Sequence, residues 1–330
     1  MNLKTEELAD FVLAGGKLRG AEALAVLEGD THDILPLVLC AGRIRQRYWG
    51  RGVRIHILDN VQNGRCTEDC AYCVQSRRSK SQEIVEYPMK SRGQILAEAE
   101  NAARAGAYRH CMVFSGRGPA PKRTTELCEI VREIKSRFAM EVCVSPGTLD
   151  EDQARRLREA GLDRLNHNIN TTEEHHGLIC TTHSYQDRLN TLFAARKAGL
   201  KICSGFITGM GEGPAGIVKI LGTLAEVGVD SIPVNFLLPL SGIAVEPEAR
   251  LSPQYALRVL CLARLMNPEV EIRIGAGREH HLRGLQSLAL YPANSLFADG
   301  YLNSGGESVA DTQRMITDAG FEVDEPAPRS

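Results

Sequence analysis

The segment GQILAEAENAARAGAYRHCMVF, residues 93–114, decides the fold of this chain. Its first part has apolar residues at helical spacing and reaches Gly106, where a helix should stop. Its second part, RHCMVF, is a short apolar run typical of a buried strand. The same order recurs where LDEDQARRLREAG precedes DRLNHNI and where YQDRLNTLFAARKAG precedes KICSGFI. A repeated alternation of strands and helices predicts a parallel sheet.

Eight segments have the pattern of such strands: VRIHIL, RHCMVF, MEVCVS, DRLNHNI, KICSGFI, DSIPVNFL, EIRIG and ANSLF. They follow one another at about the length of a βα unit with its loops, roughly 25 to 40 residues. We therefore predict an α/β fold, a (β/α)8 TIM-type barrel over residues 51–322. Amphipathic segments in residues 1–50 predict an N-terminal helical cap. The end of the chain, EPAPRS, predicts a flexible C-terminal tail over residues 323–330.

Composition limits the classes of partner. The chain has 330 residues, 43% of them hydrophobic, which suits one large barrel. Its 39 basic and 41 acidic residues are mixed, so no extended basic face is expected and nucleic acid is not an expected partner. No apolar run reaches the roughly 18 residues of a membrane span, and the start MNLKTEELAD has no secretory pattern. We expect no membrane partner and a cytoplasmic location.

Ten cysteines are many for a chain in a reducing compartment, where stable disulfides are rare. Metal or redox chemistry is the better explanation for most of them. Cys40, Cys128 and Cys261 lie in helix-like apolar patterns, and we interpret them as small buried apolar residues.

Three cysteines lie close together in NGRCTEDCAYCVQS, directly after the first candidate strand. Cys66, Cys70 and Cys73 form a C-x3-C-x2-C pattern. Three thiolates on a four-iron cluster leave one iron open for a ligand. The alternatives are a zinc knuckle and chance, but VQSRRSKSQE supplies no fourth cysteine or histidine for zinc. Loops after barrel strands build the active site, which favours the cluster.

A second possible metal site is spread over the barrel. Cys111, Cys143 and Cys203 each fall in a different candidate strand, and Arg273 falls in a fourth. Small residues on the faces of Cys203 and Arg273 leave room inside the barrel. The alternative is three buried apolar cysteines and an arginine that points outward to a carboxylate. The residues alone leave both interpretations open.

These segments resemble the biotin synthase family of the radical S-adenosylmethionine (SAM) superfamily, and the similarity extends from VRIHIL to ANSLF. The resemblance implies a 4Fe-4S cluster that binds SAM through its open iron and is held by Cys66, Cys70 and Cys73. It also implies a 2Fe-2S cluster, the source of sulfur, on one arginine and three cysteines of the strands: Cys111, Cys143, Cys203 and Arg273.

The resemblance assigns further residues to SAM. The segment GFITGMGE fits the superfamily pattern G-x-I-x-G-x-x-E at the adenine, although the residues taken alone favour a glycine-rich turn. Asn170 stands where some members have an aspartate that contacts the ribose, and Arg188 matches a residue that pairs with the SAM carboxylate. The residues expected to bind this cofactor are Tyr72, Asn170, Arg188, Gly205, Ile207, Gly209 and Glu212.

The resemblance also places dethiobiotin. Asn168 should face its ureido ring, with Asn166 and Asn235 nearby. Amides suit a cyclic urea because they carry both a donor and an acceptor. Alternation in a strand predicts that Asn166, Asn168 and Asn170 share one face and that His167 points away into the core. Asn303 and Ser304 of GYLNSGG stand where many members have a Thr-Thr-Pro-Gly turn, and they would bind the substrate carboxylate.

The implied activity is conversion of dethiobiotin to biotin by a sulfurtransferase that uses an adenosyl radical, with no catalytic residue beyond the cluster and substrate ligands. Expected partners are a flavodoxin- or ferredoxin-type electron donor, iron-sulfur assembly machinery and a second copy in a homodimer. The alternatives are another radical SAM enzyme, such as a hydrogenase-maturation, methylornithine-forming or lipoyl sulfur-inserting protein, an iron-sulfur electron carrier, and a cofactor-free barrel lyase.

Overall fold

Parallel strands close into a barrel around the centre of the molecule. The computed structural model describes residues 4–28, 32–64, 66–246 and 248–326. Its strands are β1 Gly52–Gln62, β2 Arg109–Phe114, β3 Glu141–Ser145, β4 Arg164–Asn166, β5 Lys201–Cys203, β6 Phe206–Thr208, β7 Ser231–Phe236, β8 Glu271–Ile274, β9 Ser295–Ala298 and β10 Glu322–Val323. The strand order is β10-β1-β2-β3-β4-β5-β7-β8-β9, and pairing of β1 with β9 closes the ring. The predicted (β/α)8 barrel is confirmed.

Helices surround the strands. They are α1 Thr5–Leu13, α2 Gly20–Leu27, α3 Ile34–Trp49, α4 Arg92–Arg104, α5 Pro121–Arg137, α6 Glu151–Glu159, α7 Glu173–Ile179, α8 Tyr185–Lys197, α9 Gly213–Val227, α10 Pro253–Met266, α11 Arg278–Leu282 and α12 Val309–Asp318. Several begin at a side chain that caps the helix; the Ser91 hydroxyl, for example, accepts the Gln94 backbone N–H at 3.3 Å. In the described ranges, no helix is both long and apolar enough to cross a membrane.

The core between strands and helices contains the three cysteines that we interpreted as apolar. Cys40, Cys128 and Cys261 are 4%, 3% and 0% exposed and pack in the main hydrophobic cluster. Burial raises the pKa of Cys40 to about 11, so its thiol stays neutral.

The fifth barrel strand is interrupted. KICSGFI was predicted as one strand, but β5 ends at Cys203 and β6 begins at Phe206. A Cβ on Gly205 would lie 1.9 Å from the Pro233 carbonyl oxygen, so only glycine fits where the two backbones approach. After the break, β6 continues along β7.

The fourth strand is shorter than predicted. β4 ends at Asn166, and Asn170 has φ = 67°, a left-handed conformation. Regular alternation over Asn166, Asn168 and Asn170 was therefore wrong, because the backbone leaves the strand conformation between them. Asn170 instead joins β6 through two backbone bonds, from its N–H to the Gly205 oxygen and from the Ile207 N–H to its own oxygen.

The first and last described elements pack against the barrel. Helices α1, α2 and α3 form the N-terminal region, and α2 and α3 pack against α10. Glu322 and Val323 pair with Gly52 and Val53, so the first residue assigned to the flexible tail is part of a strand. Residues 327–330 of that predicted tail lie outside the described residues. The division into cap, barrel and tail stays a prediction.

Candidate active site

A large cavity opens at the carboxyl ends of the barrel strands. Its walls come from the loops that follow β1, β2, β3, β4, β7, β8 and β9. Loops at this end can carry polar groups without disturbing the apolar barrel. The cavity therefore lies where barrel folds place their active sites.

The cysteine triplet lines this cavity, on the loop between β1 and α4. Short backbone bonds shape the loop: the Cys73 N–H donates to the Cys70 oxygen at 3.1 Å, and the Cys66 N–H to the Gln75 oxygen at 3.3 Å. Burial raises the pKa of Cys66, and it raises that of Cys73 to about 11. Both thiols are neutral in the metal-free protein and would lose their protons on binding metal.

A smaller chamber lies deeper in the barrel and is lined by Cys111, Cys143 and Arg273. Cys111 and Cys143 face each other in register on β2 and β3. The Cys203 sulfur accepts hydrogen bonds from Arg273 Nη2 at 3.3 Å and from Asn166 Nδ2 at 3.2 Å. The structure thus brings the three strand cysteines and the arginine together.

Arg273 does not point outward, so the structure contradicts that part of the alternative which the sequence left open. It is 1% exposed, and its charged group lies 5.1 Å from the centre of the Phe297 ring. Burial disfavours the charge, but nearby Cys203 and Glu271 raise the pKa of Arg273 above its ordinary value. A cation is therefore fixed among the thiols of the chamber.

A layer of buried charges supports the chamber from the amino ends of the strands. Glu271 accepts Arg109 at 2.8 Å and Arg273 at 3.2 Å, and the Ser231 and Ser295 hydroxyls at 3.1 and 3.2 Å. Burial would raise the pKa of Glu271, but Arg109 and Arg164 together hold it well below its ordinary value. Since Glu271 is ionised and multiply bonded, it fixes the guanidinium of Arg273.

Three residues predicted to bind SAM lie together in the large cavity: Tyr72, Asn170 and Arg188. The Asn170 amide donates to the Tyr72 hydroxyl at 2.5 Å. Arg188 donates through Nη1 to the Asn168 carbonyl at 2.8 Å, while its buried Nε has no partner among the described residues. A buried unpaired donor favours a bound acceptor such as a carboxylate.

The GFITGMGE residues divide between two places. Ile207 lines the cavity. Glu212 instead accepts the Gly209 and Met210 backbone N–H groups, each at 3.0 Å, and Gly209 has φ = 103°. Gly209 and Glu212 therefore hold the turn after β6. Of the predicted SAM-binding residues in this motif, the structure supports ligand contact for Ile207.

Asn166 and Asn168 line both the large cavity and the inner chamber, between the two cysteine sets. The Asn168 amide oxygen accepts the Gly205 N–H at 3.0 Å. Asn235 also lines the large cavity, but its amide is used by the backbone: it donates to the Phe206 oxygen and accepts from the Ala276 N–H, both at 3.0 Å. Asn235 shapes the pocket by joining three segments.

Asn303 and Ser304 reach the same cavity from the loop after β9. The Asn303 amide exchanges two hydrogen bonds with the Asn63 amide, at 2.7 and 3.1 Å. The Ser304 hydroxyl donates to the Tyr301 oxygen at 2.8 Å. Both groups are engaged within the protein, so their role toward a substrate carboxylate stays a prediction that requires them to exchange partners.

Four residues beside the triplet were not identified from the sequence. His167 was expected to face the core, but it lines the cavity and its buried Nε2 has no partner among the described residues. Cys180 lies with its sulfur 3.8 Å from that of Cys70, and His183 Nδ1 lies 2.5 Å from Glu68. The segment ICTTH carries Cys180 and His183 three residues apart. A cysteine and a histidine at this short spacing are typical of metal sites, so the sequence contained a signal for these two residues.

Comparisons with known proteins identify the superfamily and the family. Residues 62–224 match the radical SAM superfamily and residues 233–322 the biotin and thiamin synthesis associated domain. Among solved structures, methylornithine synthase has a TM-score of 0.85 at 20% identity, covering 97% of this chain and 98% of that chain. The FeFe-hydrogenase maturase HydG from Carboxydothermus hydrogenoformans has a TM-score of 0.82 at 18% identity, covering 96% and 78%. These two likenesses show the fold alone.

Curated relatives are more informative. The biotin synthase of Magnetococcus marinus is 51% identical over 317 residues, covering 96% of this chain and 98% of that protein. The biotin synthase of Acaryochloris marina is 54% identical over 303 residues, covering 92% and 87%. Identity of this extent over nearly the whole length shows the family, as the sequence motifs indicated: the chain belongs to the biotin synthase family of the radical SAM superfamily.

Proposed function

We propose that this chain converts dethiobiotin to biotin by radical SAM chemistry, with a 4Fe-4S cluster, a 2Fe-2S cluster and SAM as its cofactors. One observation carries the proposal: a loop triplet of cysteines and a second set of three cysteines with an arginine lie at two depths of one barrel. Sulfur insertion needs both a site for radical generation and a nearby sulfur source.

The residues at the mouth fit the first cluster and SAM. Cys66, Cys70 and Cys73 would hold the 4Fe-4S cluster, and three ligands on one loop leave an iron for SAM. The unpaired Arg188 Nε lies in the same cavity, where it would bind the SAM carboxylate. Tyr72 and Asn170, already bonded to each other, form a wall against which the nucleoside would pack.

The inner chamber fits the second cluster. Cys111, Cys143 and Cys203 would hold the 2Fe-2S cluster as thiolates, with Arg273 as the fourth ligand. The buried Arg273 Nε has no partner among the described residues. To ligate iron, Arg273 would have to give up a proton, because the cationic guanidinium has no lone pair to offer a metal. Glu271 accepts a hydrogen bond from Arg273 Nη2, the same atom that donates to the Cys203 sulfur, and this helps to fix the guanidinium beside the thiols.

Substrate would lie between the two sites. When bound, the 4Fe-4S cluster supplies the electron that cleaves SAM and the 2Fe-2S cluster supplies sulfide. The protein contributes orientation, since Asn166 and Asn168 border both cavities and their amides suit the ureido ring. Asn235 keeps this wall in place through its two backbone bonds.

We also propose an electron donor of the flavodoxin or ferredoxin type, an iron-sulfur assembly system that rebuilds the clusters, a homodimer and a cytoplasmic location. Exposed Arg77, Arg78 and Arg117 near the triplet loop suit an acidic electron-transfer protein. Leu35 and Leu39 on α3 are 56% and 58% exposed and give a second copy an apolar surface.

The proposal is tested with labelled sulfide. Protein reconstituted with isotopic sulfide in the inner site should release biotin that carries the label in its first turnover, measured by mass spectrometry. Cys203→Ala should lose product, whereas Arg273→Ala should retain more activity because water or a neighbouring side chain can replace a guanidinium ligand. Unlabelled biotin, or full product yield from a Cys143→Ala protein, would contradict the assignment of the sulfur donor.

A further inference from the structure

Cys180 forms a compact cluster of ligand atoms with Cys70 and His183. One atom from each of these three residues lies within 4.8 Å of the other two. The two sulfurs are 3.8 Å apart, and the Cys180 sulfur lies 3.4 Å from His183 Nδ1 and 3.7 Å from His183 Nε2. All three side chains are buried.

These separations match a tetrahedral zinc site. Zn–S bonds of about 2.3 Å and Zn–N bonds of about 2.0–2.1 Å at tetrahedral angles place two sulfurs about 3.8 Å apart, and sulfur and nitrogen about 3.6 Å apart. Two cysteines and one histidine form a known zinc ligand set that leaves one position for water. The three groups can therefore approach one ion with little rearrangement.

A neighbouring carboxylate orients the histidine. Glu68 Oε2 lies 2.5 Å from His183 Nδ1 and also accepts the Thr182 hydroxyl at 2.8 Å. A proton on Nδ1 that is donated to Glu68 leaves Nε2 free as the ligand atom. Metal-binding histidines commonly have such a carboxylate partner, so the geometry includes the outer support of a metal site as well as its ligands.

The surrounding loop is held in place independently of any metal. Asp69 accepts the Thr181 N–H at 2.8 Å, and the Ala71 N–H donates to the Ile179 oxygen at 2.8 Å. These bonds tie the triplet loop to the end of α7, which brings Cys180 next to Cys70. The cluster is thus a fixed feature of the fold.

We propose that Cys70, Cys180 and His183 of the cluster-free protein bind one Zn²⁺ ion, and that this ion excludes the 4Fe-4S cluster because both require Cys70. The exclusion rests on the proposed role of Cys70 in the first cluster, whereas zinc binding does not. The site makes a form of the protein that holds zinc and cannot load its radical-generating cluster.

Metal binding is tested on full-length, cluster-free protein under anaerobic conditions with Co²⁺ as a spectroscopic probe for zinc. The wild type should bind one more Co²⁺ ion per protein than Cys180→Ser binds. This additional ion should have the spectrum of tetrahedral, thiolate-ligated Co²⁺, and Zn²⁺ should displace it. His183→Gln should weaken binding at this site at least tenfold. Cys128→Ser, which removes a buried cysteine elsewhere, should match the wild type.

Cys66→Ser distinguishes the proposed site from metal bound by the loop triplet. It should retain the extra Co²⁺, because Cys66 is outside the proposed ligand set. Circular dichroism and urea unfolding show whether each variant is folded. If Cys180→Ser does not fold, His183→Gln is used in its place. Equal Co²⁺ binding by Cys180→Ser and wild type, or equal loss in Cys66→Ser and Cys180→Ser, would overturn the proposal.

Exclusion of the cluster has its own readout, which is iron and sulfide content after reconstitution. One equivalent of Zn²⁺ should lower 4Fe-4S uptake by the wild type severalfold and leave uptake by Cys180→Ser unchanged. Equal sensitivity of both proteins to zinc would refute competition at this site. If zinc binds as proposed but no biotin forms in the labelling experiment, the proposed function fails and the metal site stands.

Discussion

Glu271→Gln tests whether the buried charge layer supports the inner site. Glu271 is fully buried and accepts Arg109 at 2.8 and 3.0 Å and Arg273 at 3.2 Å. A glutamine keeps one acceptor oxygen and places an NH2 group where guanidinium donors converge. Breaking a buried ion pair by removing one partner costs about 3–5 kcal/mol, and we expect that loss in the free energy of unfolding.

The matched control is Glu141→Gln, which removes a different carboxylate from the same arginine. Glu141 bonds Arg109 at 2.6 Å, but its side chain is 19% exposed, so water replaces part of the interaction. We expect a loss of about 1 kcal/mol. Urea unfolding of the cluster-free variants measures both values, and the visible spectrum of reconstituted protein should change for Glu271→Gln. Equal destabilisation by the two variants would refute the reasoning.

The pH dependence has a definite sign. Burial opposes the charge of Glu271, but the arginines hold its folded pKa well below the ordinary value of 4.5. A lowered folded pKa means that the stabilisation is complete above 4.5 and is lost as the pH falls toward the folded pKa, where the native carboxylate is also protonated. The stability gap between wild type and Glu271→Gln should therefore be flat near neutrality and shrink in acid.

Three further changes test other parts of the site. Cys66→Ala should abolish 5'-deoxyadenosine formation, because two thiolates do not hold a cubane with its open iron intact, and product at the parent rate would contradict this. Asn168→Ala should weaken dethiobiotin binding by about 1–3 kcal/mol, roughly 5- to 150-fold, measured by calorimetry. Gly205→Ala puts a Cβ 1.9 Å from a carbonyl oxygen and should destabilise the fold by about 1–3 kcal/mol, whereas Gly222→Ala, with open space around it, should not.

The barrel could be predicted because it depends on local periodicity, whereas the residues alone left open whether Cys111, Cys143 and Cys203 form a site inside it. Each βα unit repeats its own pattern, and Cys111 and Cys143 lie in register because neighbouring parallel strands align. The resemblance added Arg273, whose direction the residues alone left open. The failures occur where the period ends: β4 stops at Asn166, and Asn170 adopts a positive φ that alternation does not anticipate.

The cluster at Cys180 could not be predicted in the same way, since it joins two loops that are distant in sequence. Glu68 and His183 are 115 residues apart and meet only because the loops after β1 and α7 converge at one edge of the barrel. The hydrogen-bond partners of Asn235 could not be predicted from the sequence either. Its residue type suggested a substrate contact, but its amide is bonded to two backbone segments.

The two cysteine sets differ in the kind of element that carries them, and this difference suits their proposed roles. Cys66, Cys70 and Cys73 lie on one loop that borders the large cavity, which would receive SAM. Cys111, Cys143 and Cys203 belong to three barrel strands, and Arg273 is hydrogen-bonded to Glu271. A sulfur donor gains rate from fixed placement against the carbon that it attacks, and a misplacement of about 1 Å costs roughly a hundredfold. Strands therefore suit the donor, and a loop suits the group that must receive SAM and release its products.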